Sequence, residues 1–129
     1  MKFYVAGKWE DRILVRFWHR VLKGKGHEIT CDWTDHEYPG EGQQHLLAGY
    51  AMADIKGVRD CDVLIALFQE PRHYRGTLVE IGGALALGKP VWVLGPEERS
   101  CIFMEHPLVV TMANEVELLS KIESLEVSA

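Results

Sequence analysis

The chain has 129 residues, of which 47% are hydrophobic and 26% are charged, so it fits one domain over residues 1–129 with a core of ordinary size. A formal net charge of -5 argues against nucleic acid as a partner, because surfaces that bind it are basic. No apolar stretch approaches the roughly 20 residues that span a bilayer, and the N-terminus turns polar too early for a secretory signal, so we expect a cytoplasmic protein without a membrane partner.

Cysteine and histidine are spaced in ways that do not indicate a metal centre. The 3 cysteines, Cys31, Cys61 and Cys101, are odd in number and far apart, which predicts reduced thiols. The 6 histidines show no H-x-x-x-H or comparable spacing. We therefore expect neither a metal site nor a cofactor.

Short β-rich runs alternate with longer helical runs along the chain. In order, the predicted elements are strand 2–7, helix 10–26, strand 27–33, helix 43–58, strand 61–68, helix 76–88, strand 90–95, strand 107–112 and helix 114–125. This alternation predicts an α/β fold, a doubly wound parallel sheet of about five strands in a flavodoxin-like or Rossmann-like three-layer sandwich. Ligands bind such sheets at the carboxyl ends of the strands, where this chain has polar loops rich in glycine and proline.

The helix over residues 76–88 contains an acid, Glu80, among small and apolar residues. A structural interpretation is a capping box, in which Thr77 caps the helix and Glu80 bonds back to the cap's N–H. A functional interpretation is a carboxylate in a pocket, beside the basic and aromatic residues 72–75. The adjacent Gly82 and Gly83 favour a close approach to this helix by the sheet, a subunit or a ligand.

A second acid, Asp54, lies in the helix over residues 43–58. The predicted inward stripe of this helix consists of apolar residues: Leu47, Ala51, Ile55 and Val58. Asp54 falls on or beside that stripe. It is either a rim residue with its carboxylate in water or an acid aimed into the same cleft as Glu80.

Residues 53–95, with Asp54, the strand CDVLIAL and the segment from Gly76 to Val91 around Glu80, resemble the nucleoside 2-deoxyribosyltransferase family, including the related 2'-deoxynucleoside 5'-monophosphate N-glycosidases. The opening FYVAGKWEDR also resembles the first strand and turn of that family, so the likeness spans residues 2–95. The resemblance implies that Glu80 is the nucleophile at the anomeric carbon and that Asp54 holds the sugar or assists proton transfer. Tyr74 stands where the family often has an acid that meets the base.

Glu80 lies near a helix N-terminus, so we expect its carboxylate to be ionised at neutral pH, as a nucleophile requires. A 5'-phosphate would need cations and N–H groups, which Gly7, Lys8 and Arg12 offer at the start of the first helix. Ordinary solvation of Lys8 and Arg12 is the alternative. Weaker candidates for the phosphate are Arg72, Arg75 and Ser100.

Three aromatic residues, Trp9, Trp33 and Tyr74, are candidates for stacking on the base, although each also suits core or rim packing. Phe3 and Gly76 complete the set that we assign to substrate binding. The predicted function is cleavage of the N-glycosidic bond of a (2'-deoxy)nucleoside or its 5'-monophosphate through a covalent glycosyl-enzyme, with transfer to another base or to water.

The sequence also leaves two alternative functions to consider and predicts an oligomeric state. The fold also suits a non-catalytic module that senses a nucleotide, although a pure binder of an anion has no use for two acids. Flavin or dinucleotide binding is disfavoured because the first turn lacks G-x-G-x-x-G. The small-residue face around Gly82 and the family resemblance together predict a homodimer or a higher homo-oligomer. The sequence leaves open the sugar, the base, the phosphate and the choice between hydrolysis and transfer.

Overall fold

The computed structural model describes residues 1–37, 40–96 and 101–127. Its strands are β1 (Lys2–Ala6), β2 (Glu28–Ile29), β3 (Val63–Leu67), β4 (Val91–Leu94) and β5 (Val109–Met112). Its helices are α1 (Arg12–Gly24), α2 (His45–Asp60), α3 (Arg75–Ala86) and α4 (Glu115–Val127). All strand pairs are parallel, in the order β2-β1-β3-β4-β5. The predicted doubly wound sheet is confirmed, and its order is the flavodoxin-like one.

The centre of the sheet is fully apolar, which explains why its strands read as continuous hydrophobic runs. Every residue of β3 and β4 is buried, as expected when helices cover both faces of a parallel sheet. The edge strand β2 is shorter than its predicted seven residues. Its chain turns into a short 3-10 helix at Trp33, where Asp32 accepts a hydrogen bond from the Thr34 N–H at 3.1 Å. The turn therefore takes up the last residues of the predicted strand.

Side chains of β1 alternate between the two faces of the sheet, and this alternation decides which of them reach the site. Phe3 is fully buried and its ring contacts Trp92, with the centroids 5.8 Å apart. Lys121 of α4 lies 5.1 Å from the centroid of the same Trp92 ring, so this face is the one that α4 covers. Tyr4 points the other way, to the face covered by α2 and α3. The helices that carry Asp54 and Glu80 thus share one layer.

Gly57 lets α2 approach β1 closely. A Cβ atom at this position would lie 2.6 Å from Cys31 Cβ and 2.9 Å from Tyr4 Cδ2, both too close for real contacts. The expected close approach at the glycine pair of α3 is not found within the described chain. A Cβ at Gly82 would meet no described atom within 4 Å, and one at Gly83 would make an ordinary 3.7 Å contact.

No helix in the described ranges has both the length and the apolar character that crossing a membrane requires.

Candidate active site

A cleft opens at the carboxyl ends of β1 and β3, where the strand order reverses and such folds bind their ligands. Its volume is about 480 Å³, within the range of small-molecule sites. The lining residues come from the segments after β1, β2 and β3 and from α2 and α3: Gly7, Lys8, Trp9, Trp33, His36, Glu37, Leu47, Tyr50, Ala51, Asp54, Ile55, His73, Tyr74, Gly76, Thr77, Val79 and Glu80. Asp54 and Glu80 therefore meet in one cleft.

Glu80 lies in the second turn of α3 and accepts a short hydrogen bond from the Tyr4 hydroxyl at Oε2. The capping-box interpretation is wrong, because α3 begins at Arg75 and Thr77 is already inside the helix. Thr77 is 2% exposed, and within the described chain its Oγ1 has no hydrogen-bond partner. The carboxylate is thus held by the sheet beneath it and not by its own helix terminus.

The protonation of Glu80 differs from the expectation drawn from the helix dipole. Burial, together with the smaller effect of the Asp54 charge, raises the pKa of Glu80 to about 8, against the opposing effect of the Tyr4 hydroxyl. The dipole acts mainly within the first turn, and Glu80 lies beyond it. The protonated form of Glu80 therefore predominates at pH 7 in the free protein.

Asp54 lies on α2 with its side chain 27% exposed toward the cleft. Its Oδ1 accepts a hydrogen bond from the Cys31 thiol at 3.6 Å and lies 3.8 Å from His36 Nδ1. Burial raises the pKa of Asp54, while His36 and Cys31 favour its ionised form. Burial also raises the pKa of Cys31 to about 12, so the thiol is neutral.

The predicted inward stripe of α2 is wrong for most of its members. Leu47 is 48% exposed and Ile55 is 39% exposed, and both line the cleft together with Ala51. Only Gly57 and Val58 of α2 are buried. The cleft lies under the first part of this helix, so the apolar stripe faces a ligand space and not the core.

Only part of the phosphate site expected at the start of α1 lies in the cleft. Gly7 and Lys8 line the cleft, but the Lys8 ammonium is paired with Glu70 and lies 4.7 Å from the Tyr74 ring centroid. Arg12 is not among the lining residues. Its guanidinium stacks on Trp9 at 4.6 Å from the ring centroid and donates to the Trp9 carbonyl at 3.2 Å.

The weaker phosphate candidates do not add a cation to the cleft. Arg72 and Arg75 are exposed and do not line it, and Ser100 lies outside the residues that the structure describes.

The aromatic candidates form walls of the cleft that are fixed by their own hydrogen bonds. Trp33 is 7% exposed and donates from Nε1 to the Val5 carbonyl at 2.7 Å. Tyr74 is 3% exposed and its hydroxyl donates to Asp11 at 2.5 Å. Trp9 is half-buried, and with Gly76 it also lines the cleft.

Phe3, which the sequence analysis assigns to substrate binding, does not line the cleft. It packs against Trp92 in the layer opposite the cleft, and its neighbour Tyr4 is the β1 residue that contacts Glu80. Because strand side chains alternate, one position along β1 exchanges a core residue for a site residue.

Sequence reasoning missed several side chains that line the cleft, among them His36, Tyr50 and Thr77, and it missed Tyr4, which contacts Glu80 from the sheet. Tyr50 stacks on His36 with ring centroids 4.2 Å apart and an angle of 9°. The signal for Tyr50 was available, because it precedes Asp54 by four residues and therefore shares its helix face. His36 lies in a polar loop and carries no comparable pattern.

The chain is similar to proteins of known structure over nearly all of its length. A 2-deoxyribosyltransferase from Bacillus psychrosaccharolyticus aligns with 18% identity and a TM-score of 0.74, covering 95% of this chain and 96% of that one. A CMP N-glycosidase from Clostridium botulinum aligns with 21% identity and a TM-score of 0.63, covering 97% and 99%. A conserved protein from Enterococcus faecalis V583 aligns with 20% identity and a TM-score of 0.65, covering 96% and 98%.

No curated protein matches the chain significantly by sequence. The sequence model of the family described as Nucleoside 2-deoxyribosyltransferase matches residues 3–120, which run from β1 into the first half of α4. The chain belongs to the nucleoside 2-deoxyribosyltransferase family of enzymes.

Proposed function

We propose that this enzyme cleaves the N-glycosidic bond of a (2'-deoxy)nucleoside with Glu80 as its nucleophile. The supporting observation is the Glu80 carboxylate, which lines a cleft together with Asp54 and is fixed from below by Tyr4. The breaking bond leaves positive charge on the anomeric carbon, and a carboxylate on the opposite face traps the sugar as a covalent glycosyl-enzyme. Tyr4 donates to Oε2, which leaves Oε1 of the ionised form of Glu80 for the attack.

Asp54 is the proton donor in this scheme. A leaving base departs more easily when it is protonated, and burial raises the pKa of Asp54 toward the range of a general acid. As the C–N bond breaks, the proton moves from Asp54 to the base and the bonding electrons leave with the base. A second base or a water molecule then attacks the anomeric carbon and loses its proton to Asp54, and Glu80 is released as a carboxylate.

The described lining favours a substrate without a phosphate. It contains the acids Glu37, Asp54 and Glu80, and its single lysine or arginine within the described ranges is Lys8, which is already paired with Glu70. A phosphate dianion would have to compete with Glu70 for Lys8. A nucleoside with a free 5'-hydroxyl avoids that competition.

We assign Thr77 a role in holding the sugar because its hydroxyl is unpaired among the residues that the structure describes. Its Oγ1 is buried in the cleft wall and has no partner within the described chain, whereas buried hydroxyls are nearly always hydrogen-bonded. A ligand hydroxyl would supply the missing partner.

Release of free base tests the reaction. The purified enzyme is incubated with 2'-deoxynucleosides, ribonucleosides and their 5'-monophosphates, with and without a second free base, and the products are separated by chromatography. We expect the deoxynucleosides to react fastest, and Glu80→Gln to lower turnover at least about 1,000-fold. Glu41→Gln, which removes an exposed carboxylate, is the matched control.

A covalent intermediate gives an independent readout. Rapid denaturation during turnover should yield protein carrying the mass of one sugar on the peptide that contains Glu80. Undiminished turnover by Glu80→Gln would refute the nucleophile. Ligand binding without release of base from any of these substrates would favour the non-catalytic binding module.

We also propose that the enzyme is a homodimer or a higher homo-oligomer through the layer of α2 and α3. Apolar side chains are exposed there, including Met52 at 74% and Val79 at 66%. Met52→Lys should lower the mass measured by light scattering. The control is Ile13→Lys on α1, which is 73% exposed.

We place the enzyme in the cytoplasm. This reducing compartment suits its three free thiols, which belong to Cys31, Cys61 and Cys101.

A further inference from the structure

Three side chains that are distant in sequence bring metal-binding atoms together in the wall of the cleft. Cys31 follows β2, His36 follows the 3-10 helix at Trp33, and Asp54 belongs to α2. One ligand atom of each lies within 4.8 Å of the other two, and in the described part of the chain they are the only cluster of this kind. Such a set of sulfur, nitrogen and oxygen donors is typical of zinc.

The spacing of these atoms is close to that of a tetrahedral zinc site. Bonds of about 2.3 Å to sulfur and about 2.0 Å to nitrogen and oxygen place neighbouring ligand atoms about 3.3–3.5 Å apart. Here Asp54 Oδ1 lies 3.6 Å from Cys31 Sγ and 3.8 Å from His36 Nδ1. The ligand atoms of Cys31 and His36 lie within 4.8 Å of each other, so these two side chains must move closer together to complete the site.

Neighbouring residues hold two of the ligands in place. The His36 ring is stacked on Tyr50 at 4.2 Å, which restricts its rotation. Cys31 packs against Gly57, where the backbone of α2 comes close to its Cβ. Ligands that are already oriented lose little freedom when they bind a metal, which strengthens binding.

We propose that Cys31, His36 and Asp54 form a binding site for a thiophilic divalent cation such as Zn²⁺. When the cation binds, the Cys31 thiol loses its proton to solvent and three protein ligands surround the metal. His36 and Asp54 line the cleft, so water or a substrate atom reaches the fourth position from that side.

A bound cation blocks catalysis because it occupies the carboxylate of Asp54. This inhibitory effect, unlike the binding itself, rests on the glycosidic function proposed above. The cation therefore acts as an inhibitor of the enzyme and not as its cofactor.

Cobalt absorption tests the binding without any need for turnover. The full-length enzyme is treated with a chelator, the chelator is removed, and Co²⁺ is added in steps. We expect saturation at one Co²⁺ per chain, with visible bands of tetrahedral cobalt and a near-ultraviolet band from the cobalt–thiolate bond. Cys31→Ser should remove the thiolate band, and His36→Ala should weaken cobalt binding at least about tenfold.

Cys101→Ser is the matched control, because Cys101 is also a half-buried free thiol but lies outside the cluster. It should leave the cobalt spectrum unchanged. A thiolate band that survives in Cys31→Ser, or cobalt binding that is equal in the wild type and His36→Ala, would overturn the site.

Zinc inhibition tests the consequence. Micromolar Zn²⁺ should suppress release of base by the wild type, a chelator should restore it, and Cys31→Ser should need at least about tenfold more Zn²⁺ for the same inhibition. Cobalt binding at the cluster without zinc inhibition would refute the blocking of Asp54. If no nucleoside is cleaved at all, the proposed function fails, while the cobalt spectrum still decides the metal site.

Discussion

Replacing Glu80 by glutamine should make the protein more stable at alkaline pH while it abolishes turnover. The variant keeps the shape of the side chain and an oxygen that accepts the Tyr4 hydrogen bond, but it cannot ionise. The pKa of Glu80 is raised from 4.5 to about 8 in the folded protein, chiefly by burial. Folding therefore favours the protonated carboxyl, and the wild type loses stability as rising pH removes that proton.

The pKa of Glu80 sets the size of the effect. Below pH 4.5 the carboxyl is protonated in both the folded and the unfolded state, so the wild type and Glu80→Gln should differ little. Between pH 4.5 and 8 the unfolded wild type ionises first, and its free energy of unfolding falls relative to the variant by about 1.4 kcal/mol per pH unit. At pH 9 the advantage of the variant should reach up to about 5 kcal/mol.

Urea unfolding at pH 5, 7 and 9, followed by fluorescence, measures this difference directly. Groups that titrate alike in both proteins cancel in the subtraction. Glu41→Gln supplies the baseline for removing an exposed carboxylate. A difference between the wild type and Glu80→Gln that stays within about 1 kcal/mol from pH 5 to pH 9 would show that Glu80 carries no burial penalty.

Four further variants probe the contacts of Glu80 and the packing of the helix layer that carries it. Tyr4→Phe removes the donor that lowers the pKa of Glu80, so the rise of kcat/KM with pH should shift to higher pH. Thr77→Val removes a buried hydroxyl without a partner, so it should stabilise the free enzyme by about 1 kcal/mol in urea unfolding and raise KM for the nucleoside. Gly57→Ala inserts a Cβ 2.6 Å from Cys31 Cβ and should destabilise by about 1–3 kcal/mol, whereas Gly82→Ala should stabilise by about 1 kcal/mol.

Each of these variants has an outcome that would contradict its reasoning. A pH profile of Tyr4→Phe that coincides with the wild type would mean that the hydroxyl does not tune Glu80. An unchanged KM in Thr77→Val would exclude the hydroxyl from the binding of the sugar. Equal stabilities of the Gly57→Ala and Gly82→Ala proteins would show that α2 does not need glycine where it meets β1.

The sequence predicted the architecture well because the strands and helices differ in hydrophobic period. The apolar run of β3 and the regular spacing in α1 need no tertiary information. The boundaries were less predictable. α3 begins before Thr77, although Thr77 and Glu80 match a common cap motif, because the loop after β3 already places Arg75 in helical conformation.

The sequence indicated the two acids of the candidate site, but it did not indicate most of the residues around them. Glu80 and Asp54 interrupt apolar patterns, so each is visible along the chain. The contact of Tyr4 with Glu80 can be predicted only once it is known which side of the sheet each β1 residue faces. For the same reason the sequence does not show that Phe3 faces away from the cleft. The protonation of Glu80 depends on burial from several segments at once, which no local pattern records.

The contact at Gly57 fixes the relative position of two elements of the site, whereas other segments around the cleft are free to vary between relatives. The strand beneath Glu80 and the helix that carries Asp54 touch there without room for a side chain, so neither can shift without the other. Other parts of the cleft are lined by the loops after β1 and β3, and such loops tolerate insertion and exchange of residues. Relatives with new substrate preferences should therefore differ in those segments while they inherit the same placement of the two acids.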